Sequence, residues 1–169
     1  MEVMGKQKIK TYSGGMKQRL LIAQAFLGDP KVVFMDEPTA GLDPKERIRI
    51  RNLISEMALG KIVLIATHIV SDVEYISKEI LLLKHGEIIG SGNPESLEKE
   101  LYGIVYEKKV TVEQLKEIQD KYLVAGIREE GNQVVVRYLD SKSDEETTVW
   151  PTLDDVYLYH FCLLYTSDA

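Results

Sequence analysis

Val32-Val33-Phe34-Met35-Asp36-Glu37 is the stretch that decides the reading of this chain. Four apolar residues run directly into two adjacent carboxylates. A continuous apolar run of this length suits a parallel strand covered on both faces. In open parallel sheets, ligands bind beyond the carboxyl ends of the strands. Asp36 and Glu37 therefore stand either at a site or merely at a strand end in solvent, and their flanks must decide.

Upstream lies Tyr12-Ser13-Gly14-Gly15-Met16-Lys17-Gln18-Arg19. Ser13 suits a helix N-cap, and Gly14 and Gly15 leave the first amides unobstructed. A helix is expected over Met16 to Leu27, apolar on most faces and hence well buried, with Gly28 and Pro30 as its stop. A hydroxyl and free amides at a helix start fit an anion such as phosphate, or simply an ordinary cap. Downstream, Pro38 to Leu42 reads as a turn. Asp43, Pro44 and Glu46 form a capping-box-like start for a helix that carries Ile50, Leu53, Ile54 and Met57 on one face. Lys61 to Thr67 is a second buried strand, and His68 follows it as Glu37 follows the first.

Val70 to Ser77 reads as a short helix. Glu79 to Lys84 and Glu87 to Ser91 read as a hairpin about Gly86, and Asn93-Pro94 opens a helix ending near Leu101. The composition then changes. A strand over 103–110 precedes a helix with Thr111 and Gln114 as its capping box and an apolar stripe at Val112, Leu115, Ile118 and Tyr122. Strands at 124–129 and 133–139 flank a Gly131-Asn132 turn, and 140–146 is an acidic solvated loop.

The bulk properties agree with a globular chain. Its 169 residues are 44% hydrophobic and 28% charged, with a net charge of −6. That charge argues against a nucleic-acid surface. The lone Cys162 excludes an internal disulfide framework. No apolar run approaches the ~18 residues of a membrane span.

Taken in order, Tyr12 to Arg19, then Val32 to Pro44, then His68 resemble the second half of an ABC-type ATPase domain. The first block resembles the signature loop usually written LSGGQ; Ser13, Gly14 and Gly15 are retained, while Tyr12 and Met16 depart. The second resembles the Walker B strand and D-loop, and His68 the switch histidine. The hairpin about Gly86 and Gly92-Asn93-Pro94-Glu95 fit as well. The wording of these blocks, with Pro151 to Tyr159, is similar to bacterial exporter ATPases of the multidrug type. The implied fold is α/β: a partial P-loop NTPase sheet lacking the Walker A strand over 1–101, then a small α+β accessory region over 102–161.

The resemblance also implies roles. Asp36 would hold Mg2+, a hard cation that takes carboxylate oxygen and water. Glu37 would be the general base toward the attacking water, and His68 would contact the γ-phosphate of ATP. Ser13 and the amides of Gly14 and Gly15 would stabilise γ-phosphate charge on a nucleotide held by a second ATPase subunit in a head-to-tail dimer. Asp43 would join that nucleotide-binding interface from across the dimer. Further partners would be integral-membrane transporter subunits and no nucleic acid, and the location the cytoplasmic face of the inner membrane.

No stretch reads G-x-x-x-x-G-K-[ST], so the loop that cradles the β- and γ-phosphates has no counterpart in this sequence. Nor has the loop bearing the γ-phosphate-sensing glutamine. The expectation is a chain that begins inside an ATPase subunit and cannot hydrolyse ATP alone. Residues 162–169 resemble the translation of a transposon-end sequencing adapter and are expected to be an artefact. Two other readings stay open: a soluble ABC-type ATPase of DNA repair or translation, and a non-catalytic interaction module.

Overall fold

A computed structural model describes residues 8–140 and 148–162. The chain divides into two compact units, Met1–Ile76 and Ser77–Ala169.

The first unit runs α1 (Gly14–Ala25), β1 (Val32–Asp36), α2 (Pro44–Met57), β2 (Ile62–Ala66) and α3 (Val70–Ile76). β1 and β2 pair in parallel from Val32 opposite Ile62 to Asp36 opposite Ala66. With α2 between them they form a βαβ unit, in which both strands end on the same side. The expected cap of α2 is half realised. Asp43 accepts from the Glu46 amide at 3.0 Å, but the Glu46 carboxylate turns away to Arg19 and Arg49. Ile50 and Ile54 are buried against Ile22, Phe26, Val33 and Met35, with Leu53 and Met57 at the margin. Full burial of an aliphatic side chain contributes about 1.5–3 kcal/mol, so this seam between α1, β1 and α2 holds the unit together.

Two expectations of burial are corrected here. β1 alternates: Val33 and Met35 are buried, whereas Val32 and Phe34 are exposed, Phe34 by 75%. Ile62 and Leu64 of β2 are exposed with them. The apolar run reflects a strand of two apolar faces, of which only one is covered by described residues. α1 is likewise not buried all round; Gly15 and Ile22 are its buried residues, and Leu20 and Leu21 are exposed.

The second unit runs β3 (Ile80–Lys84), β4 (Glu87–Gly92), α4 (Pro94–Glu100), β5 (Val105–Val110), α5 (Val112–Lys121), β6 (Leu123–Glu130), β7 (Gln133–Leu139) and α6 (Leu153–Cys162). β3 and β4 form the expected antiparallel hairpin, with a bulge between Leu82 and Leu83. Its turn needs left-handed backbone at His85 (φ 52°) and Gly86 (φ 84°), which glycine supplies at little cost. β1 pairs with β2 in one two-stranded sheet and β3 with β4 in another. The antiparallel sheet β5-β7-β6 buries Tyr106, Val110, Val134, Val136 and Tyr138 against α5. The Thr111–Gln114 capping box is present in full.

The contacts separate the chain after Ile76, whereas the resemblance divides it at 101/102. The reason is that α4 packs on α6, with Leu97 and Leu101 buried. Lys84 also donates to the His160 carbonyl at 2.7 Å. α6 crosses the expected 161/162 boundary by one residue; 163–169 and, apart from Asp140, the acidic loop lie outside the described residues. No helix among the described residues is long and apolar enough to cross a membrane.

Candidate active site

The parallel pairing of β1 and β2 brings the two predicted strand ends together. The Glu37 amide donates to the Ala66 carbonyl at 2.8 Å, extending the ladder one residue past β1. Glu37 then takes left-handed backbone, φ 46°, uncommon for a residue with a side chain. This turn points its carboxylate across to the end of β2. One oxygen accepts from the His68 amide at 3.0 Å and lies 2.7 Å from His68 Nδ1; the other accepts from the Thr67 hydroxyl at 3.0 Å.

These contacts fix the electrostatics. Desolvation, the largest influence, pushes the Glu37 carboxyl up. Hydrogen bonds from the His68 ring, the Thr67 hydroxyl and the His68 amide together outweigh it and hold the group below its usual value of 4.5. Glu37 is therefore ionised at neutral pH. An ionised carboxylate only accepts, so His68 Nδ1 carries the proton in this contact. The exposed Nε2 is then an acceptor in the neutral ring and a donor only in the imidazolium.

Asp36 ends β1 with its side chain in solvent. It shares a small cavity of about 190 Å3 with Gln18, Leu21, Ile22, Phe34 and Pro38. Among the described residues, no group of three or more His, Cys, Asp or Glu side chains converges on a metal position.

Ser13, Gly14, Gly15 and Asp43 gather in a second place. Ser13 Oγ accepts from the Met16 amide at 3.3 Å and so caps α1. A Cβ on Gly14 would lie 3.9 Å from Leu42, and one on Gly15 only 2.5 Å from Glu46 Oε2. The start of α1 thus lies against the start of α2, and Arg19 pairs with Glu46 beside the contact. Among the described residues, no side-chain hydrogen bond or ion pair joins this group to Glu37 and His68. The turn Pro38–Leu42 is the covalent link between them.

Sequence reasoning missed Thr67, Thr39 and Asp72. A hydroxyl directly before His68 was a usable signal for Thr67. Asp72 sat unremarked in a short helix, where a single acidic residue usually faces solvent.

Comparison with known proteins agrees with the motif reading. Residues 1–40 match the family model described as ABC transporter. An uncharacterized ABC transporter ATP-binding protein of Nostoc is 43% identical over 93 residues, covering 54% of this chain and 28% of the relative. The Nod factor export ATP-binding protein I of Rhizobium johnstonii is 38% identical over 104 residues, covering 61% and 33%. A solved nucleotide-free ATP-binding cassette from an ABC transporter superposes with a TM-score of 0.52 at 29% identity, covering 56% of this chain and 38% of that one. These matches show the chain to be similar to the ATP-binding domain of ABC transporters, in agreement with its α/β fold. The chain spans a third or less of the length of these curated relatives.

Proposed function

We propose that this chain forms the later part of an ATP-hydrolysing subunit that powers export through partner membrane subunits. ABC cassettes as a family bind ATP with Mg2+ and dimerise on membrane transporter subunits. The observation that best supports the reading is the Glu37 carboxylate, gripped by Thr67 and His68 at the adjoining ends of two parallel strands. Export is supported by the wording of Tyr12–Arg19 and Ala40–Pro44 and by the printed name of the Rhizobium relative.

In this reading, Glu37 orients the attacking water and takes its proton. Its hydrogen bonds keep it ionised and so able to accept that proton. His68 meets the γ-phosphate through Nε2, with Nδ1 anchored on Glu37. Asp36 supplies the carboxylate to Mg2+. Bound ATP and Mg2+ supply the phosphoryl group and neutralise its charge. The Gly14 and Gly15 amides and Ser13 face a nucleotide on the second ATPase subunit, and Asp43 lies at that interface. The ATPase part extends to residue 101 and the accessory region covers 102–161. Because no G-x-x-x-x-G-K-[ST] is present, the chain alone does not hydrolyse ATP.

Affinity purification of the tagged gene product from detergent-solubilised membranes of its source tests the transport reading. Recovery with integral-membrane subunits, at the cytoplasmic face of the inner membrane, is expected. Recovery from the soluble fraction with repair or translation factors would overturn it.

A further inference from the structure

Asp72 is a buried acid that the roles above leave unused. It lies four residues after His68, on α3, and is 2% exposed. One carboxylate oxygen accepts from the hydroxyl of Thr39, which is wholly buried and stands two residues after Glu37. The other oxygen has no hydrogen-bond partner. It lies 3.6 Å from Nη1 of Arg51, on α2, and that same Nη1 donates to the Ser71 carbonyl at 2.9 Å.

A buried carboxylate is costly to desolvate. An ion pair of this kind is often no more stabilising than apolar residues of equal volume. Packing alone therefore does not explain an acid here. What the acid does is join three segments. Thr39 belongs to the turn that leaves Glu37, a turn closed by Ala40 N–H to the Glu37 carbonyl at 3.2 Å. Ser71 and Asp72 belong to the segment that leaves His68. Arg51 fixes both to α2.

We propose that Asp72 is a positioning residue that holds the Thr39 turn and the His68 segment in register, so that the Glu37–His68 hydrogen bonds form. Two ties then link the loop after β1 to the loop after β2: the exposed one through Glu37 and the buried one through Thr39 and Asp72. The buried tie sets the spacing at which the exposed one closes. The catalytic meaning of this coupling rests on the roles proposed for Glu37 and His68; the coupling itself does not.

Amide hydrogen exchange of the full chain, resolved by NMR, tests it, because the His68 amide is protected by Glu37. In Thr39→Val, which keeps shape and removes the donor, exchange at His68 rises about ten-fold while the amides of Ile50 and Ile54 in α2 hold their rates. Thr39→Ser, which restores the hydroxyl, returns His68 to its original rate. Unchanged exchange at His68 would overturn the proposal. So would a uniform rise at His68, Ile50 and Ile54, which a purely structural role produces, or failure of Thr39→Ser to restore protection. None of these outcomes depends on ATP hydrolysis, so the proposal fails separately from the functional reading.

Discussion

Asp155 offers the sharpest stability test, because its side chain is 1% exposed and fully committed. It accepts from Arg137 Nε at 3.1 Å and Nη2 at 2.5 Å, and from the Thr152 amide and hydroxyl at 2.8 and 2.9 Å. It therefore anchors the start of α6 to β7. Asp155→Ala removes all of these bonds and leaves the Arg137 guanidinium, 18% exposed, without its main anion. Stripping one partner from a buried pair costs about 3–5 kcal/mol. Glu107 stays 3.3 Å from Arg137 Nη1, which favours the low end, about 3 kcal/mol. Against a usual domain stability of about 5–15 kcal/mol, that is a large fraction. The assay is built in. Trp150 is the only tryptophan, and its carbonyl accepts from Arg137 at 2.8 Å, so its fluorescence in urea reports this unit. Arg137→Met with Asp155→Leu should recover much of the loss, since neither charge is then stranded. A loss below about 1 kcal/mol for Asp155→Ala, or simple additivity in the double variant, would refute the reasoning.

Other outcomes follow from the same geometry. Glu107 is held below its usual 4.5, first by its hydrogen bonds to Arg128, against desolvation, and then by Arg137. Its stabilising contribution is therefore complete above that ordinary value and is lost as pH falls through the lower folded value; urea midpoints read by Trp150 should drop with acidification over that range. Gly15→Ala would ordinarily strengthen a helix by up to ~1 kcal/mol. Here its Cβ would meet Glu46, itself tied to Arg19 and Arg49, so a loss of about 1–3 kcal/mol in circular-dichroism melts is expected. Phe34→Ser, on the open face of β1, should change stability by less than about 0.5 kcal/mol in those melts and reduce self-association in light scattering.

Much of the candidate site was legible because it rests on local chemistry. Strand ends at Glu37 and His68, the caps at Ser13, Asp43, Asn93 and Thr111, and the turns at Gly86 and Gly131 are each set by a few neighbouring residues. Burial was harder to read. Val32 and Phe34 have the composition of covered residues, but composition records what a strand face is suited to, not what lies over it. The same holds for Leu20 and Leu21 of α1. The start of α6 carried a readable Thr152-x-x-Asp155 signal, whereas the Arg137 and Glu107 partners of that acid are distant in sequence. Asp72 and Thr39 were invisible for the same reason: their meaning lies in a contact 33 residues long, and neither has a neighbour that betrays it.

The most direct test of the central claim is Mg2+-dependent phosphate release from ATP. It should be measured on this chain alone, and on the chain joined behind the phosphate-loop half of a related cassette. No release above buffer is expected from the chain alone, and clear release is expected from the joined protein. Glu37→Gln should then cut that release by about 100-fold or more. Glu37-dependent hydrolysis by the chain alone, or equal rates in the joined protein with and without Glu37→Gln, would contradict it.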